Sequence, residues 1–113
     1  MSLEYASDHL AAAVRLLATS EDRLALRLQA AWDKHVQMVW MKPCLTRDLL
    51  REFRDLWHNY TAPSDDRHST RLRDLTRDEC QMAIGSLVSL ASKVTAAAAV
   101  PGNEQLATLA DLG

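Results

Sequence analysis

The stretch MAIGSLVSLAS, Met82 to Ser92, contains no charged residue, yet the segment around it has the three- and four-residue apolar spacing of an α-helix. Cys80, Ile84, Leu87, Ala91, Val94 and Ala98 fall on one line of that helix and form a seam of coiled-coil type, the expected core face. A second line holds Gly85, Ser89, Ser92 and Ala96, all small, with Ser86 beside them. Small side chains let a neighbouring helix come close. Met82, Val88 and Leu90 add apolar surface around the remainder, and Lys93 is the lone charge between Glu79 and Glu104. Surface helices normally carry a charged face, so three arrangements compete. The helix is central and wrapped by the rest of the chain, or half-buried and completed by a second copy or another protein, or it spans a membrane. About twenty residues suffice for a span, but the serines and Lys93 make a poor one, and the expectation is a protein without membrane association.

Upstream of this stretch, Thr76 and Glu79 make a capping box with Leu75 and Cys80 at the staple positions, and PGN ends the helix, giving a helix over about 77–100. LTRDLLREFRDLWHNY is the clearest amphipathic element. Thr46 is its expected N-cap, Leu45 and Leu50 a staple, and Leu49, Leu50, Phe53, Leu56, Trp57 and Tyr60 its apolar face over 47–60. Nearer the N-terminus, Leu3, Ala6, Leu10, Ala13, Val14 and Leu17 predict a helix over 3–18 with Ser2 as cap. Leu24, Leu28, Ala31, Trp32, Val36, Val39 and Trp40 predict a second over 20–41, capped at Thr19 or Ser20 and stopped by Pro43. TAPSDDRHS reads as a polar loop, and the tail over 104–112 as a short docked helix or a frayed end. No strand alternation, glycine-rich phosphate loop or long repeat is present. The expected fold is all-α: a single domain over 1–113, a four-helix antiparallel bundle with a short C-terminal helix or tail.

The totals agree with a globular chain. Of 113 residues, 48% are apolar and 25% charged, with three Gly and three Pro, a balance that folds without staples. A net charge of -2 gives the whole molecule no attraction to nucleic acid or anionic membrane. Cys44 and Cys80 make no CxxC pair, so neither disulfide framework nor zinc site is implied. The acidic start MSLEYASDHL lacks the basic end of a signal peptide, and the expected location is the cytoplasm.

Candidate functional residues are few. HVQMVWM crowds Val36, Met38, Val39, Trp40 and Met41 at one helix end, more than one face buries, which marks Met38 and Met41 as interface candidates beside Met82, Gly85, Ser86, Ser89, Ser92 and Ala96. His9 and His35 have no ligand or carboxylate four residues away, so His35 reads as a core-edge histidine. His58 sits one turn after Asp55, and Asp65, Asp66 and His68 share a loop whose charges are expected to be solvated. Lys42 near Cys44 is a setting that can lower a thiol pKa, though the position also suits buried packing. No catalytic residue, metal or cofactor follows. Arg67, Arg71, Arg73 and Arg77 lie within eleven residues and are the candidate contacts for anions or nucleic acid, but Asp65, Asp66, Asp74, Asp78 and Glu79 interleave with them and no aromatic residue joins them.

LEYASDHLAAAVRLLATSEDRLALRLQAA and RLRDLTRDECQMAIGSLVSLASKV, about half the chain, resemble small uncharacterised helical proteins of proteobacteria and their mobile elements. The resemblance implies a bacterial, cytoplasmic origin and carries no catalytic motif. The function expected is a non-enzymatic helical interaction module, a homodimer, adaptor or small inhibitor; the alternative is a nucleic-acid-associated protein using the arginine cluster.

Overall fold

The computed structural model describes residues 2–60, 72, 75–100 and 106–112. Helix α1, Leu3–Thr19, is capped by Ser2, whose Oγ accepts from the Tyr5 amide at 3.3 Å. It buries Leu3, Ala6, Leu10, Ala13 and Leu17, the expected stripe without Val14.

The second helix differs from expectation at its start and in its middle. Ser20 does not cap it: its backbone N–H donates to Leu16 O, closing α1, and its Oγ accepts from the Asp22 amide. The helix begins at Leu24, and Arg27 stitches the corner, donating from Nε to Asp22 O at 2.8 Å and from Nη1 to Leu17 O at 3.1 Å. One cationic side chain thus satisfies a carbonyl that the end of α1 leaves open, Leu17 O, and one in the link, Asp22 O. We label as α2 the continuous run of Leu24–Ala31, a π-helical turn Trp32–Val36, and Gln37–Trp40. The π turn has a cause in the sequence. At about 100° per residue, His35 falls in the middle of the stripe set by Leu28, Ala31, Trp32 and Val39. The wider turn rotates His35 to the rim, where it is half-buried, and brings Val36 fully inside.

After Pro43, strand β1, Leu45–Thr46, pairs antiparallel with β2, Leu106–Ala107, in the register Leu45 to Ala107 and Thr46 to Leu106. The tail therefore docks as a two-residue strand followed by a 3-10 turn, Leu109–Leu112, rather than as a helix over 104–112. Asp111 accepts from the Thr108 amide and hydroxyl, which holds its carboxyl below the usual range.

Helix α3, Arg47–Tyr60, follows directly and buries Leu50, Phe53, Leu56 and Trp57. Helix α4, Arg77–Ala99, opens on the expected capping box: Thr76 Oγ1 accepts from the Glu79 amide, and Glu79 Oε1 accepts from the Thr76 amide. The described residues are thus mostly helical, with four α-helices and one small two-stranded sheet. Helix α1 packs against both α2 and α4, and α3 against α4. Trp57 of α3 stacks on Trp40 of α2 at a centroid distance of 4.6 Å and 4° between planes, and on Trp32 at 5.6 Å and 25°. That stack takes up much of the apolar excess of HVQMVWM: Val36 and Val39 are buried and Trp40 is half-buried.

Candidate interaction surface

Helix α4 is not wrapped. Only 28% of its most apolar 18-residue window is buried, so the central-helix reading is overturned: one face is buried and the other is left open. The buried stripe is Cys80, Ala83, Leu87, Leu90, Ala91 and Val94. Leu90, expected at the surface, belongs to it, whereas Ile84 and Ala98 sit at its half-buried edge. By length and composition α4 is long and apolar enough to cross a membrane, but this stripe is committed to the chain's own core.

The opposite face meets solvent. Gly85, Ser86, Ser89, Ser92 and Ala96 are exposed, Met82 is 69% exposed and Val88 42%. Lys93, the lone charge, is drawn sideways: its Nζ donates to Glu52 Oε1 at 2.9 Å and Oε2 at 3.2 Å on α3. An exposed pair of this kind contributes only about 0.2–1 kcal/mol to stability, but it turns the charge away and leaves the outward strip neutral. At Gly85, an added Cβ would meet nothing within 4 Å. The packing of the described residues gives no reason for a glycine there.

Shallow grooves flank this strip. Between α3 and α4, Glu52, Asp55, Leu56 and Asn59 face Met82, Gly85, Ser86, Ser89 and Leu90. Between the start of α2 and α4, Arg23, Leu24, Ala25, Arg27 and Leu75 face Arg77, Cys80, Gln81, Ile84 and Gly85. Gly85 borders both. Among the described residues, the first groove is lined by two carboxylates and no cation, the second by three arginines and no carboxylate. Further along, Ala11 and Val14 of α1 with Val88, Ala91, Ser92, Thr95 and Ala96 line an uncharged third groove. Of the other interface candidates, Met41 is 63% exposed and Met38 half-buried, and neither lines these three grooves. Arg77 is exposed on the first turn of α4; Arg67, Arg71 and Arg73, with the Asp65, Asp66 and His68 loop, lie outside the described residues.

The structure brings together two histidines that the sequence spacing separates. His9 Nδ1 and His35 Nδ1 are 3.4 Å apart, and the Tyr5 ring packs edge-on against His9 at 4.6 Å. Among the described residues no group of three or more His, Cys, Asp or Glu is arranged to hold a metal. Burial lowers the His35 pKa below its ordinary 6.5, with the His9 and Lys34 charges acting in the same direction. A histidine whose folded pKa is lowered binds fewer protons folded than unfolded, so its protonation favours unfolding. Urea unfolding should therefore show stability falling as the pH drops through about 6.5, the unfolded value, and levelling off below the folded value. His35→Gln should flatten this slope, and an unchanged slope would assign it to other groups.

Cys44 is buried, its Sγ–H donates to Val39 O at 3.7 Å, and burial pushes its pKa up to about 11. A thiol so placed is a packing group, not an activated nucleophile. Cys80 is also buried and its pKa is raised, by burial first and then by Glu79.

Comparison with protein-family models, curated proteins and solved structures finds no match to this chain. The functional reading rests on the surface itself.

Proposed function

We propose that this protein is a helical protein–protein interaction module whose docking face is the outer strip of α4. The observation that carries the reading is Gly85. A mid-helix glycine costs about 1 kcal/mol relative to alanine, and here its Cβ position opens onto solvent with no clash to avoid. Close approach of another chain is the physical reason for a missing side chain at such a place. The neutral strip around it and the exposed Met82 and Val88 support the same reading, because apolar surface rimmed by charge is the usual composition of a protein contact.

On this reading the four helices alternate in direction as a bundle, which the short link at residues 20–23 supports. The module acts in a bacterial cytoplasm as an adaptor or small inhibitor, without catalysis. A photo-reactive amino acid at Ser89 tests it. Irradiation in the native host should yield a discrete adduct heavier than the chain, absent when the same group is placed at the exposed Asp33 of α2. No adduct at Ser89, or equal labelling at both positions, overturns the proposal.

A further inference from the structure

The π turn of α2 brings His35 against His9 of α1. Neither histidine lines any of the three grooves along α4, so the pair is independent of the docking face proposed above. We infer that His9 and His35 form a zinc site, in which both Nδ1 atoms ligate one divalent cation and water fills its remaining positions.

The spacing carries this reading. The two Nδ1 atoms are 3.4 Å apart and the ring centroids 5.7 Å. The centroids are farther apart by about one ring width, so the two nitrogens face each other. An N–H donor normally lies about 2.7–3.2 Å from its acceptor, so a shared proton holds this pair loosely, and a bridging water needs a wider gap. A zinc ion fits between these limits. Two Zn–N bonds of about 2.0–2.1 Å at the tetrahedral angle place their nitrogens about 3.4 Å apart, the separation already present, and a tilt of each ring turns both lone pairs onto one point. Square-planar coordination with bonds of similar length needs about 2.9 Å, so the gap favours zinc over copper(II).

The surrounding sequence holds both rings and leaves them accessible. Tyr5, one turn before His9, packs edge-on against its ring at 4.6 Å. The other α1 residues one turn from His9 are Ala6, Ala12 and Ala13, which add no bulk beside it. His35 owes its place at the rim to the π turn, and such turns recur at functional sites. Both histidines are half-buried, so a cation reaches them from solvent and keeps its waters. The burial of His35 also favours its neutral ring, the form that offers a lone pair to a metal. Two protein ligands make an exchangeable site, unlike the four-ligand structural kind. Bound zinc ties α1 to α2 and stabilises the fold as its concentration rises.

Zinc titration of the full chain, freed of trace metal by a chelator and dialysed, tests the site with the imidazole ¹⁵N spectrum as readout. One equivalent should bind in the micromolar range and move the Nδ1 resonances of His9 and His35, while those of His58 and His68 stay in place. His9→Gln and His35→Gln should each weaken binding about tenfold or more, since even an outer-shell partner of a metal site contributes roughly 10–100-fold. Each should also abolish the rise in melting temperature that zinc gives the unaltered chain. If either variant does not fold, the ring spectrum of the unaltered chain decides. Magnesium, which prefers oxygen ligands, should leave both rings unmoved. No binding at millimolar zinc overturns the site, as does zinc that moves only His58 or His68, binds both variants as tightly as the unaltered chain, or is matched by magnesium.

Discussion

Trp57→Ala should lower the unfolding free energy by about 3–5 kcal/mol, the range for removing a buried large aromatic side chain. Trp57 is 4% exposed and sits where α3 meets α2, between Trp40 and Trp32, with Phe53 at 6.3 Å on its own helix. Truncation removes the transfer free energy of an indole and also leaves two flat faces without partners, each stacked pair contributing about 0.5–1.5 kcal/mol beyond area. A domain of this size has about 5–15 kcal/mol in total, so the variant should be near its unfolding midpoint at moderate urea or not fold at all. Trp57→Phe keeps one ring and should cost clearly less, which keeps the test readable if the alanine variant does not fold. Urea titration followed by far-UV circular dichroism decides it. A loss below about 1 kcal/mol, typical of a surface change, would mean that α3 does not dock through this stack.

The parts of the fold legible in the sequence are those where one local signal acts alone. Helix α3 matches its expected range of 47–60 because its two faces differ sharply, and α4 opens where the Thr76–Glu79 box places it. The misses have local physical causes. Ser20, Glu21 and Asp22 have the composition of an N-cap, but Ser20 closes α1 instead and Arg27 supplies what the corner lacks. The π turn leaves the apolar count unchanged; its only trace was a histidine at the centre of an apolar stripe. Strands β1 and β2 are two residues each, too short for alternation to show.

The candidate surface was half legible. Its neutral strip is contiguous along one helix and so visible as spacing. Leu90 was misplaced because it lies at the edge of the buried stripe, where small rotations decide burial. HVQMVWM looked over-supplied with apolar groups because the ring that stacks on Trp40 lies seventeen residues on, at Trp57. The charge separation into two grooves was invisible for a related reason. Along α3 the signs alternate, as in RDLLREFRD, and only packing assigns Glu52 and Asp55 to one side of α4 while α2 brings arginines to the other. His9 and His35, twenty-six residues apart, meet because α1 packs against the π turn.

Gly85 permits a test in which fold and function move in opposite directions. Its backbone is not left-handed, and a Cβ there meets nothing, so Gly85→Ala should stabilise the isolated chain by about 0.4–1 kcal/mol through the smaller entropy of its unfolded state. If a partner chain closes on this line, the same methyl group intrudes at the point of nearest approach, and association should weaken while the melting temperature of the dissociated chain rises. Gly85→Arg carries the argument further. Arginine is a good helix former, so the chain should fold, but a charge buried without a partner at the centre of the contact costs several kcal/mol, and the dissociation constant of the complex should rise about a hundredfold or more. Differential scanning calorimetry on dilute chain and light scattering across concentration read the two effects separately. Loss of stability in both variants would mean that the chain itself covers Gly85. Gains in stability with unchanged association would mean that the partner docks away from Gly85, because among the described residues a methyl group there meets nothing in the chain itself.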